Sequence, residues 1–194
     1  MKLHNRYFVL RHGESKANVA GIILSDLEDG KKEEYTLTKK GENQVKESIV
    51  AAKNNGILGS KTIIYSSPFS RCKKTAEIAK EVLETKDEIV FDDKLRERWF
   101  GDFEKTHNSN YQKVWDVDRT DAEHKEFNVE SAKEVQVRTM SLIADLEKKY
   151  KNKSILLVSH GDALQIMQTG FYKKSPAVHR ELTHLETAEI RELK

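Results

Sequence analysis

Cysteine is nearly absent from this 194-residue chain, since Cys72 is the only one. A single thiol excludes an internal disulfide framework and a zinc site built from several thiolates, and it favours a reducing compartment. Proline occurs only twice, and no hydrophobic run approaches the length of a membrane span. The sequence therefore predicts an ordered cytoplasmic protein that has no membrane partner.

An excess of one charge is also lacking, because 34 Lys and Arg are set against 32 Asp and Glu, a net charge of +2. A balance this close to neutrality gives no reason to expect nucleic acid or an anionic lipid surface as a partner. The length suffices for one hydrophobic core of ordinary size. We therefore expect a single domain that handles a small molecule.

Three short apolar runs have the continuous character of strands that are covered on both faces. They are Tyr7 to Leu10, Thr62 to Tyr65 and Ile155 to Val158. A further short strand is expected over residues 89–91, and a more exposed one within residues 184–193. The three buried runs are the expected centre of a sheet.

Helix signals separate these runs. The expected helices cover residues 39–54, 68–84, 131–150 and 162–170. Ser67 followed by Pro68 predicts the second start, because serine can cap free amides and proline is preset for the first helical position. Alternating strands and helices predict an α/β fold, a three-layer α/β/α sandwich with a mostly parallel sheet.

Chemically suggestive residues follow each buried run. Arg11 and His12 come after the first, Arg71 lies one helical turn beyond the second, and His160 comes after the third. Ligands bind beyond the carboxyl ends of the strands in open parallel sheets. If the three strands are neighbours, these two arginines and two histidines meet at one point.

Such a cluster is a poor site for a metal cation and a good one for phosphate, because arginine forks match phosphate oxygens. No metal or cofactor is therefore predicted. Fixed positive charge lowers the proton affinity of a nearby imidazole, so His12 is predicted to be a nucleophile toward phosphorus. The remaining histidines have no ligand-like spacing and are expected to be surface or core residues: His4, His107, His124, His179 and His184.

A departing alkoxide needs a proton, which a carboxylic acid near the pocket usually supplies. Glu97 is the first candidate, because burial by Trp99 or Phe100 would raise its pKa. Asp162 is the second candidate, although a cap of the following helix is the simpler role for that residue.

Five blocks of sequence occur in an order that is characteristic of one family. They are Leu10 to Ser15 with Asn18, Leu37 to Gly41, Ser66 to Arg71 with Thr75 and Ala76, Leu95 to Arg98, and Ser159 to Gly161. Together they resemble the histidine phosphatase superfamily, in its phosphoglycerate mutase-like branch. The resemblance implies a phosphoglycerate mutase-like sandwich, with residues 1–194 as one histidine phosphatase domain and residues of about 99–130 as a cap-like insertion.

The resemblance also implies roles for individual residues. His12 would carry a phosphohistidine intermediate and Glu97 would donate the proton. The phosphate pocket would consist of Arg11, Arg71 and His160, with Asn18 assisting.

Phosphatases and mutases of this superfamily share that machinery and differ in whether the phosphoryl group passes to water or back to the substrate. The interval between Glu97 and His160 is compact compared with that of mutases, and residues 99–134 within it carry five Lys or Arg against nine Asp or Glu. His160 is followed by Gly161 and Asp162, where mutases usually have Gly-Asn. We therefore predict a metal-independent phosphatase acting on a small phosphate monoester. The alternatives are a cofactor-dependent phosphoglycerate mutase and a non-catalytic module that binds phosphorylated ligands.

Overall fold

A five-stranded sheet forms the centre of the computed structural model, which describes residues 3–194. The strands are β1 (Arg6–Arg11), β2 (Ile63–Ser66), β3 (Val90–Phe91), β4 (Ser154–Ser159) and β5 (Ile190–Leu193). Their order is β3-β2-β4-β1-β5, and only the edge strand β5 is antiparallel to its neighbour. The predicted mostly parallel sheet is confirmed.

Seven α-helices accompany the sheet within residues 3–194. They are α1 (Lys16–Ala20), α2 (Leu27–Gly30), α3 (Lys39–Asn54), α4 (Ser70–Leu83), α5 (Tyr111–Asp118), α6 (Ala132–Lys149) and α7 (Gly161–Phe171). No helix in this part of the chain is long and apolar enough to cross a membrane.

Successive residues of β1 point to opposite faces of the sheet, which gives two hydrophobic cores. Phe8 and Leu10 pack with apolar residues of α3 and α4 on one face. Tyr7 and Val9 pack with apolar residues of α6 and α7 on the other face. Because helices cover both faces of the sheet, the predicted three-layer sandwich is confirmed.

The expected helix start at Ser67 is wrong. Helix α4 begins at Ser70, its N-cap is Phe69, and no side chain caps it. The Ser67 hydroxyl instead lies 2.8 Å from Nε2 of His160. The contact with His160, which follows β4, therefore takes the place of the helix cap that the Ser67-Pro68 pair favours.

Residues 99–130 consist of short 3₁₀ turns and helix α5. This segment has a small core of its own, in which Phe100, Val114 and Val129 pack with Ile23. A backbone hydrogen bond of 2.9 Å joins Ile23 to Thr106, so the segment is attached to the chain that follows α1. Tyr111 and Trp115 of helix α5 line the cavity described below.

Candidate active site

The three strand ends meet because β2, β4 and β1 are neighbours in that order. The Arg71 Nε atom lies 3.2 Å from Nε2 of His12 and 3.2 Å from Nδ1 of His160. His12 and Arg71 border a cavity of about 210 Å³. Its lining includes Arg11, His12, Asn18, Arg71, Glu97, Tyr111, Trp115, Asp162, Arg180 and His184.

The protonation of His12 follows from its partners. Its Nδ1 lies 2.8 Å from the carbonyl oxygen of Gly13, which can only accept, so Nδ1 carries the proton. The lone pair is therefore on Nε2, where Arg71 donates to it. Burial, then the charges of Arg71 and Arg11, hold the pKa of His12 well below its ordinary value. His12 is thus a neutral imidazole with a nucleophilic nitrogen at the cavity.

His160 is neutral for similar reasons. Its Nδ1 accepts a hydrogen bond from Arg71, which leaves Nε2 to donate to the Ser67 hydroxyl at 2.8 Å. Burial, followed by the charge of Arg71, lowers the pKa of His160 well below its ordinary value. The Cys72 sulfur lies 3.4 Å from the same Nε2 atom, and burial raises the pKa of this thiol to about 12. His160 therefore orients Arg71 and carries no charge of its own.

Both arginines have buried N–H groups without a hydrogen-bond partner among residues 3–194, namely NH1 of Arg71 and Nε of Arg11. One other nitrogen of each guanidinium donates to the backbone, NH2 of Arg71 to the Leu24 carbonyl at 2.9 Å and NH1 of Arg11 to the Leu185 carbonyl at 2.7 Å. A buried donor without a partner costs about 1–3 kcal/mol. Two such donors beside His12 suit a bound oxyanion.

Asn18 reaches the same cavity from α1. Its Oδ1 accepts hydrogen bonds from the backbone nitrogen and the hydroxyl of Ser15, each at 3.0 Å. The backbone nitrogen of Asn18 donates in return to the Ser15 hydroxyl at 3.2 Å, which completes a capping box at the start of the helix. This orientation commits the amide oxygen to Ser15. The amide nitrogen of Asn18 is left to donate toward an anion in the cavity.

Glu97 is a buried carboxyl with an unusual proton affinity. Burial and then the charge of Asp162 raise the pKa of Glu97 to about 7, although Arg71 opposes the shift. Its Oε1 accepts hydrogen bonds from the backbone nitrogens of Arg98 at 2.9 Å and Ala163 at 3.2 Å. Near neutral pH, both the protonated and the ionised form of Glu97 are therefore populated.

Asp162 has the opposite character. Burial disfavours its charge, but His179 and then Arg98 together hold the pKa of Asp162 well below its ordinary value. Its Oδ1 accepts a hydrogen bond from Trp115 Nε1 at 3.0 Å, and its Oδ2 lies 3.3 Å from NH1 of Arg98. Asp162 is therefore an ionised carboxylate that ties α7 to α5, and its side chain does not cap α7.

Several cavity residues were not among the candidates from sequence, including Tyr111, Trp115, Arg180 and His184. His184 was expected to be a surface or core residue, yet its Nε2 lies 3.0 Å from NH1 of Arg11. Arg180 follows His160 by twenty residues in an irregular segment. No local pattern marks these residues, because their position depends on how the segment after α7 packs back over the sheet.

The chain belongs to the histidine phosphatase superfamily (branch 1), whose family model matches residues 7–194. It is similar to the uncharacterized phosphatase PhoE of Bacillus subtilis (strain 168), with 30% identity over 187 residues that cover 93% of this chain and 88% of that protein. It is also similar to the probable phosphoglycerate mutase GpmB of Enterobacter sp. (strain 638), with 31% identity over 163 residues that cover 81% and 70%.

Solved structures share the fold. A mycobacterial glucosyl-3-phosphoglycerate phosphatase in complex with VO3 superposes with a TM-score of 0.79 at 23% identity, covering 96% of this chain and 91% of that one. A mutant phosphoserine phosphatase from Entamoeba histolytica, in complex with phosphoserine, gives a TM-score of 0.76 at 24% identity, covering 97% and 89%. The expected phosphoglycerate mutase-like form of the sandwich is thereby confirmed.

Proposed function

We propose that the protein is a metal-independent phosphatase that hydrolyses a small phosphate monoester through a phosphohistidine on His12, with Glu97 as the proton donor. One observation carries this proposal: the lone pair on Nε2 of a neutral His12 adjoins two arginines whose buried N–H groups have no partner among residues 3–194. A nucleophilic nitrogen beside unpaired donors suits attack on a bound phosphoryl group.

In the first half of the reaction, the phosphoryl oxygens bind NH1 of Arg71, Nε of Arg11 and the amide of Asn18. The lone pair of His12 Nε2 forms the new N–P bond while the ester P–O bond breaks. The electron pair of that bond stays on the leaving oxygen, which takes the proton of Glu97. The hydrogen bond from Nδ1 to the Gly13 carbonyl stabilises the positive charge that develops on the ring.

In the second half, the Glu97 carboxylate accepts a proton from water as the water oxygen attacks phosphorus. The N–P bond breaks, its electron pair returns to Nε2, and inorganic phosphate leaves. Glu97 is then protonated again, and the site has returned to its starting state. A pKa near neutrality suits a group that must act first as an acid and then as a base.

The test is hydrolysis of p-nitrophenyl phosphate in the presence of EDTA. We expect turnover by the wild type and a loss of about a thousandfold or more in His12→Ala. His4→Ala is the matched control, because His4 precedes the opposite end of β1 and is exposed. Equal rates in His12→Ala and the wild type would refute the proposal.

Two other candidate functions are compatible with the same site. A phosphoglycerate mutase is favoured by the likeness to GpmB, and conversion of 3-phosphoglycerate to 2-phosphoglycerate without free phosphate would decide for it. A non-catalytic module that binds phosphorylated ligands would use the same two arginines. Turnover of any monoester that depends on His12 would remove the basis of this last candidate.

We also propose the organisation in which this chemistry occurs. Residues 1–194 would act as one histidine phosphatase domain, with residues of about 99–130 as a cap, which the presence of Tyr111 and Trp115 in the cavity wall supports. The single cysteine and the net charge of +2 support a cytoplasmic protein with a small phosphorylated substrate and without nucleic acid or membrane partners.

A further inference from the structure

Arg180 provides a positive charge in the cavity wall away from β1 and β4. It belongs to the 3₁₀ segment Pro176–Glu181, which follows α7. Its guanidinium carbon lies 3.8 Å from the centre of the Trp115 ring, a close cation–π contact. Stacking on the indole restricts the orientation of the guanidinium, so its N–H groups are held at the cavity in advance of any ligand.

The guanidinium of Arg180 has no hydrogen-bond acceptor among residues 3–194. The nearest carboxylate oxygen, Oδ1 of Asp162, lies 3.9 Å away, which is beyond hydrogen-bond distance. That oxygen already accepts from Trp115 Nε1, and the other oxygen of Asp162 faces Arg98. The N–H fork of Arg180 is therefore available to an anion that enters the cavity.

His184 contributes a second donor. Its Nε2 lies 3.0 Å from NH1 of Arg11, and because an arginine N–H can only donate, Nε2 accepts and Nδ1 carries the proton. This Nδ1 is buried and has no partner within residues 3–194. Burial, then the charges of Arg11 and Arg180, lower the pKa of His184, so the ring is a neutral donor.

Arg180 and His184 are not among the residues that bind the phosphoryl group in the proposed reaction. Arg180 and Trp115 line the catalytic cavity and also an adjoining cavity of about 430 Å³, which Gln112 and Arg119 border. They therefore lie where the two cavities adjoin, which leaves room beside them for the leaving group of an ester bound at His12.

We propose that the leaving group of the substrate carries a second anion, a carboxylate or a second phosphate, which Arg180 binds with assistance from His184. This inference rests on the proposed phosphatase activity and specifies its substrate class. Arg180 therefore determines substrate specificity. Its charge-assisted hydrogen bonds favour phosphate monoesters with a second anion over others that His12 would attack equally well.

The experiment compares two pairs of substrates that differ only in the second anion. 3-Phosphoglycerate is paired with glycerol 3-phosphate, and propane-1,3-diyl bisphosphate with propyl phosphate. Initial rates of phosphate release give kcat/KM for the wild type, Arg180→Gln, Arg180→Lys and Arg119→Gln. Arg119 is the matched control, because it is an exposed arginine that borders the adjoining cavity but not the catalytic one.

We expect the wild type to prefer the anionic member of at least one pair, and that pair identifies the anion. In Arg180→Gln, this preference should fall by about tenfold or more, whereas Arg180→Lys should retain part of it and Arg119→Gln all of it. A ratio within one variant is insensitive to misfolded enzyme, since inactive protein lowers both rates equally.

Active wild-type enzyme with no preference in either pair would overturn the inference, as would an equal loss on both members of a pair in Arg180→Gln. Both outcomes leave the proposed activity intact, provided that His12→Ala abolishes it. If His12→Ala is as active as the wild type, the proposed function fails first. The two failures are therefore distinguishable.

Discussion

Arg98 and Asp118 form a bidentate ion pair with no exposed side-chain surface, at 2.6 and 2.8 Å between the paired nitrogen and oxygen atoms. The pair joins the residue after Glu97 to the last turn of α5. His124 adds a contact at 2.9 Å to the same carboxylate. The proposed proton donor and the wall of the cavity are thereby connected through one buried interaction.

Breaking this pair should destabilise the protein strongly. In Asp118→Asn, the buried guanidinium of Arg98 loses its main counter-charge, and we expect the free energy of unfolding to fall by about 3–5 kcal/mol. Urea denaturation measures the change. Asp116→Asn, an exposed change in the same helix, should stay within about 0.5 kcal/mol of the wild type. Equal stability of the two variants would contradict the structural role given to the pair.

The raised pKa of Glu97 should appear in the pH dependence of phosphoenzyme formation. The acid form donates the proton, and with a pKa of about 7 this form is lost as the pH rises through neutrality. With an alkyl phosphate, the rate of the first half-reaction should therefore decline about tenfold per pH unit above neutrality. Rapid-quench measurements of phosphoenzyme formation from mildly acidic to mildly alkaline pH would detect this decline.

The same role predicts a dependence on the leaving group. Glu97→Gln cannot donate a proton, so it should lose far more activity on an alkyl phosphate than on p-nitrophenyl phosphate, whose phenolate leaves without help. A similar loss of phosphoenzyme formation on both esters would argue against Glu97 as the donor.

Glu97 should also make stability depend on pH. Its pKa is about 7 in the folded protein and lies near 4.5 when the chain is unfolded, so the folded state binds more protons between these values. Stability from this group is present below pH 4.5 and is lost as the pH rises to 7. Glu97→Gln should therefore gain stability relative to the wild type at alkaline pH, by roughly 3 kcal/mol, and little at acidic pH. Urea midpoints on either side of this window measure the difference, and a gain of equal size at both would contradict it.

Removal of the Arg71 guanidinium should weaken anion binding. In the proposed reaction this residue offers NH1 to the phosphoryl group, and its Nε contacts both histidines. We expect inhibition by vanadate to require about a hundredfold higher concentration in Arg71→Gln. Lys73→Gln, an exposed cation in the first turn of the same helix, provides the comparison. Unchanged inhibition in Arg71→Gln would place the anion elsewhere.

Sequence patterns were sufficient for those parts of the protein that depend on local rules. Continuous apolar runs predicted β1, β2 and β4, and the carboxyl-end rule then placed Arg11, His12, Arg71 and His160 together. Helix α3 covers Lys39–Asn54, the range expected for it from sequence. In these regions, local preference and tertiary structure agree.

The rest depends on long-range packing. Ser67 has the sequence of a helix cap, but its hydroxyl is bound to a histidine 93 residues away in the chain. Arg180 and His184 reach the cavity only because the segment after α7 returns over the carboxyl ends of the strands. That segment has no helical or strand periodicity, so neither its path nor its contacts can be derived from composition.

The burial of Cys72 determines how the protein responds to oxidants and alkylating reagents. The only thiol of the chain is fully buried beside His160, and its pKa is raised to about 12. It therefore lacks the thiolate and the access that oxidants and alkylating reagents require. Treatment with hydrogen peroxide or iodoacetamide at mildly alkaline pH should leave the hydrolysis rate unchanged. Phosphoryl transfer through imidazole would then continue during oxidative stress, when phosphatases with a cysteine nucleophile are inactivated.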